Sequence, residues 1–101
     1  MSELISQMKI DDDEYSIRAT EHALKRMKQR GVDKYVVAGT VLSLGKDKIL
    51  EKKKQDADVA VIDKNKGISV VFGFVKNRIR VITVMRKTDI YVKDKTTLVE
   101  L

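Results

Sequence analysis

The sequence predicts an α+β fold: two N-terminal helices packed on one face of a four-stranded antiparallel sheet. Three observations carry this expectation. Residues 20–45 contain two segments bounded by helix caps and glycine stops. After residue 45 the apolar period changes from helical to alternating. Two short polar stretches, residues 63–67 and 76–77, then separate apolar runs at hairpin length.

Residues 1–14 read as a loose or weakly helical acidic lead. Leu4, Ile5 and Met8 have helical spacing, and residues 11–14 form a solvated acidic turn. Residues 15–19 alternate enough for a short strand or an extended entry. Thr20 is an N-cap residue type, and Glu21 suits the positive end of a helix dipole. Residues 21–30 are good helix formers, and Gly31 supplies a left-handed stop. Asp33 caps a second helix on which Val36, Val37, Thr40, Val41 and Leu44 share a face, ended by Gly45.

The four expected strands are residues 48–53, 58–62, 68–75 and 78–85. Lysines in the first would discourage edge pairing. The third is apolar on both faces, so it reads as central. A sheet face left uncovered there would suit a second copy, giving a homodimer. Tyr91 and Val92 read as a last short strand.

A chain of 101 residues fits one domain spanning 1–101. There is no cysteine, which excludes disulfide frameworks and thiolate metal sites. No apolar run is long enough for a membrane helix, and the polar, acidic start does not read as a signal peptide. A cytoplasmic location and no membrane partner are expected. One histidine and no zinc-ligand spacing leave no expected metal. The absence of a phosphate-loop glycine pattern or dinucleotide fingerprint leaves no expected cofactor.

Charge is unevenly placed. The net charge is +6, yet residues 1–17 hold one base and five acids, so the remainder carries +10. A basic body suits a polyanion, most often nucleic acid.

Two clusters can carry chemistry. On the first helix, at about 100° per residue, His22, Arg26 and Arg30 line the border between the buried stripe and solvent. Histidine exchanges protons near neutral pH, and arginine grips phosphate and stabilises charge growing on it. RNA supplies its own 2′-hydroxyl nucleophile, so no serine or cysteine triad is required. On the fourth strand, strict alternation places Arg78, Arg80, Ile82, Val84 and Arg86 on one face. Ile79, Val81, Thr83 and Met85 fall on the other, toward the helices. Arg78, Arg80 and Arg86, with Lys52 and Lys53 from the lysine run, are candidate nucleic-acid contacts. Phe72 and Phe74 read as core rather than as a stacking platform.

The run His22-Ala23-Leu24-Lys25-Arg26-Met27-Lys28-Gln29-Arg30-Gly31-Val32 resembles the opening motif of a bacterial and phage branch of the RelE/ParE-like toxin superfamily. The likeness extends to the valine-rich segment ending in Val81-Ile82-Thr83-Val84. The resemblance implies a helix-then-sheet fold and makes His22, Arg26, Arg30 and Thr83 the matching polar positions. It implies action on RNA as a metal-independent endoribonuclease toxin, with an antitoxin partner. The alternative is a non-enzymatic module that binds nucleic acid or a host protein. A basic–aromatic tail of the RelE kind is missing, with Tyr91 the nearest candidate.

Overall fold

The computed structural model describes residues 2–92 and 95–101. Three helices, α1 (Glu21–Arg30), α2 (Lys34–Leu42) and α3 (Lys46–Gln55), lie in the middle of the chain. Six strands surround them in sequence: β1 (Ser2–Ile10), β2 (Asp13–Thr20), β3 (Asp58–Asp63), β4 (Ile68–Val75), β5 (Arg78–Met85) and β6 (Thr96–Glu100). They form one mixed sheet in the order β1-β2-β5-β4-β3-β6. Pairs β2–β5 and β3–β6 are parallel and the rest antiparallel. This corrects the expected two N-terminal helices on a four-stranded antiparallel sheet.

Each departure has a physical cause. The N-terminal lead is a strand hairpin. Ile5 is an unpaired extra residue between the Leu4–Arg18 and Ser6–Ile17 pairs, so β1 carries a bulge. One inserted residue turns the two-residue period of Ile5, Met8 and Ile10 into spacing that mimics a helix. Asp11 and Asp12 take φ of 50° and 70°, the paired left-handed geometry of a tight hairpin turn. The acidic run is that turn.

Residues 48–53 belong to α3 rather than to an edge strand. Asp47 sits in its first turn and Lys52, Lys53 and Lys54 in its last, as the helix dipole favours. Only Ile49 of this helix is fully buried, so its apolar stripe is too thin to read as helical. Tyr91 and Val92 lie outside the strands, and the final strand forms later, at β6.

Three helix boundaries agree with their sequence signals, but α2 closes at Leu42 with Ser43 as its cap, and Gly45, expected to end it, instead stands at the N-cap of α3. Thr20 accepts from the Ala23 N–H at 3.1 Å, and Gly31 closes α1 at φ 63°. Asp33 accepts from the Tyr35 N–H at 2.7 Å and starts α2.

A single apolar cluster joins the helices to one sheet face. It contains Ala23 and Met27 of α1, Val37 and Val41 of α2, Ile49 of α3, and Ile17, Phe72 and Val81 of the sheet. Each large side chain buried there stabilises by about 1.5–3 kcal/mol. The opposite face carries no helix from this cluster and is where the charged strand residues point. Among the described residues, no helix is long and apolar enough to cross a membrane.

Candidate nucleic-acid interface

The motif residues of α1 do not converge on a polar site. His22 is exposed, and its imidazole makes no hydrogen bond among the described residues. The guanidinium of Arg26 donates to Gln29 Oε1 at 3.0 Å on the helix surface. Arg30 donates to the Val84 carbonyl of β5.

The last of these follows from the topology. β2 pairs with β5 only as far as Ala19 and Val81, because the chain leaves the sheet at Thr20 to enter α1. Beyond Val81 that edge of β5 has lost its strand partner, and its carbonyls need donors. Thr20 Oγ1 donates to the Ile82 carbonyl at 3.4 Å, and Arg30 serves Val84. These two side chains dock α1 onto β5.

Thr83 lies elsewhere. β5 pairs Val81 with Phe72 and Thr83 with Val71, leaving Ile82 as an extra residue. The bulge resets the alternation. Val84 joins Ile79 and Val81 in the core, while Thr83 turns to the helix-free face. There it lines a hollow with Val71, Ile82 and Met85. Thr83 is thus on the side of Arg80, away from His22, which reverses the placement that strict alternation gives.

The helix-free face holds a basic row. Arg18 of β2 is the direct register partner of Arg80 of β5, and Ser16 is the partner of Arg78. Arg78 and Arg80 are exposed, and their guanidinium groups make no hydrogen bond or ion pair among the described residues. Arg18 is held by two bonds to Ser2, from Nε to Oγ at 2.9 Å and from Nη2 to the carbonyl at 3.0 Å. Like charges directly opposite on neighbouring strands are destabilising unless an anion joins them. Two acids flank the row, Glu14 and Asp58, and neither forms an ion pair with these arginines. An open cleft of about 530 Å³ begins at Arg78 and runs past Ser16, Gln7 and the Lys76–Asn77 turn. Lys76 holds φ 55°, a left-handed geometry that costs a side-chain-bearing residue about 1–2 kcal/mol.

Sequence reasoning missed Arg18. The signal was present: Tyr15, Ile17 and Ala19 alternate inward, which sends Ser16 and Arg18 outward.

The remaining basic candidates scatter. Arg86 is exposed beside Asp33 and Lys66, at the α1–α2 junction. Lys52 of α3 sits 3.5 Å from Glu51 Oε1. Lys53 donates to Tyr15 Oη at 3.0 Å and to Asn77 Oδ1, with its ammonium 4.9 Å from the Tyr15 ring centroid. It anchors α3 to the end of the sheet. Among the described residues, no group of three or more His, Asp or Glu could hold a metal.

The family described as Domain of unknown function (DUF4258) matches residues 19–86, more than half of the chain, and the chain belongs to that family. The matched span runs from the end of β2 through β5. It contains Arg78 and Arg80 and leaves out Arg18 and Tyr91. No curated protein and no solved structure matches the chain.

Proposed function

We propose that this chain is a nucleic-acid-binding module, with RNA the favoured partner, that grips phosphates on the helix-free face of its sheet. The observation that carries this reading is the Arg18–Arg80 register pair, joined by Arg78, without an ion-paired carboxylate among the described residues. Phosphodiester oxygens fit such a row, since each guanidinium offers a fork of donors to one phosphate. Release of counterions from the nucleic acid adds to the attraction and makes it salt-dependent. This setting belongs to the cytoplasm.

The endoribonuclease toxin reading has less support. Its histidine side chain has no polar partner among the described residues, one of its arginines is engaged by a backbone carbonyl, and its threonine faces the other way. Function as a binder needs none of the three.

The test uses fluorescence anisotropy with a labelled single-stranded RNA of roughly 12 nucleotides, within the usual range of site sizes. The double substitution Arg18→Glu with Arg80→Glu should abolish binding, while His22→Ala should leave it unchanged and the RNA uncut. Full binding by the double variant would overturn the proposal. RNA cleavage lost in His22→Ala would restore the enzyme reading.

A further inference from the structure

The helix-free face carries a second feature next to the arginines. A hollow of about 260 Å³ opens between β4, β5 and the segment that follows β5. Its walls are mostly apolar, with Val71, Ile82 and Met85 contributing, and its polar groups include Asp58 and Thr83. Tyr91 stands fully exposed at its rim. Apolar walls with a few placed polar groups are the usual make-up of a small-ligand site.

Gly73 explains how the carboxylate reaches this place. It is the register partner of Arg80 and lies inside β4, where glycine weakens a strand. A β-carbon at Gly73 would collide with Oδ1 of Asp58 and would stand 3.8 Å from Ile82 Cδ1. The missing side chain therefore makes room for the Asp58 carboxylate across β4, between Arg80 and the hollow. The Asp58 carboxylate makes no hydrogen bond or ion pair among the described residues.

Three chemical elements follow one another across the open face: the Arg18–Arg80 guanidinium pair on β2 and β5, the acceptor-only Asp58 carboxylate lying over Gly73 of the next strand, and the exposed Tyr91 ring lining the same hollow as Asp58. A nucleotide presents their complements: a phosphate, a donor edge and a flat face. An ionised carboxylate can only accept, so the base it reads must offer N–H groups. Guanine offers two side by side, its N1–H and its exocyclic amine, which suit both carboxylate oxygens. Adenine and cytosine offer a single amino group and uracil a single N–H. In a duplex the guanine donors are already paired, so the base must come from a single strand.

We infer that this hollow seats one unstacked guanine of a single-stranded RNA, read by Asp58 and stacked on Tyr91. The inference rests on the phosphate-binding reading of Arg18 and Arg80. Thr83 supplies a hydroxyl to the same pocket. Exposed rings are the common stacking surface for splayed bases, and Tyr91 fills that role where Phe72 and Phe74 face the core.

The probes are labelled oligouridylates of roughly 12 nucleotides that differ only in one central residue: guanine, adenine, cytosine or uracil. The guanine oligomer should bind about tenfold tighter than the all-uracil one, the discrimination of a two-bond base contact. Asp58→Asn should bring that ratio close to one, because the amide presents one acceptor where guanine needs two. Tyr91→Ala should lower the ratio several-fold. Both residues are exposed, so both variants should fold, which a thermal melt of each checks. Equal affinity for all four oligomers, or a guanine preference untouched by Asp58→Asn, overturns the inference and leaves the arginine reading standing. Absence of binding to every oligomer defeats both.

Discussion

The two faces of the sheet use arginine in opposite ways. On the helix-covered side, Arg30 donates to the Val84 carbonyl, at a stretch of β5 that has lost its strand neighbour. On the open side, Arg80 faces Arg18 across a parallel pair, with no acid among the described residues in ion-pair contact. Residue type does not separate the two. What separates them is whether the nearby backbone already has its partners. Where β5 is unpaired, a side chain from α1 completes it and becomes structural. Where β2 and β5 pair fully, Arg78 and Arg80 are left with charge to offer, and Arg18 keeps its charge while its Nε and Nη2 bind Ser2 of β1.

This contrast can be broken or sharpened by mutation, and the largest effect belongs to the covered face. Phe72 is fully buried in the middle of the sheet. Phe72→Ala should cost about 3–5 kcal/mol, enough to unfold most of the protein in a denaturant titration. A midpoint near that of the parent chain would mean the core is not built as described.

Next comes Arg30. Arg30→Ala removes a charged donor from a carbonyl at the α1–β5 seam and should cost about 1.5–3 kcal/mol. RNA affinity, measured on the folded fraction, should stay unchanged. Loss of affinity at full stability would move Arg30 from the structural set to the binding set.

Arg80→Ala should show the reverse. Affinity for RNA should fall roughly tenfold, about 1.4 kcal/mol, while stability stays within about 0.5 kcal/mol of the parent. Thermal melts and anisotropy on the same samples separate the two readouts. A destabilised variant with unaltered affinity would make the open face structural too.

The smallest effect is at the turn joining β4 to β5. Lys76→Gly relieves a left-handed lysine but adds unfolded-state entropy, for a net gain of about 0.5 kcal/mol. A lower midpoint would indicate that the lysine side chain contributes more than its backbone strain costs.

Parts of this arrangement were legible from residues alone, and the illegible parts share one cause. The caps at Thr20 and Asp33 and the stop at Gly31 act within a few residues, so local chemistry was enough to find them. The strands β3 and β4, apolar runs between polar turns, and β5, which alternates up to Val81, were legible for the same reason. Bulges defeated the rest. Ile5 disguised β1 as a weak helix, and Ile82 exchanged the faces of Thr83 and Val84. A bulge is visible only against its partner strand, which lies far along the sequence. The parallel pairing of β2 with β5 is equally non-local, so Arg18 and Arg80 become neighbours only after folding. Lys53 shows the same limit. Its position in a lysine run suggested a polyanion contact, but the fold places it between Tyr15 and Asn77.

The central claim is that Arg18 and Arg80 neutralise phosphates on the open face. The salt dependence of RNA binding tests it directly, since each neutralised phosphate on a single strand contributes about 0.7 to the slope of log affinity against log salt. The variant carrying both Arg18→Ala and Arg80→Ala should show a slope shallower than the parent by about 1.4. An identical slope in parent and variant would contradict the account.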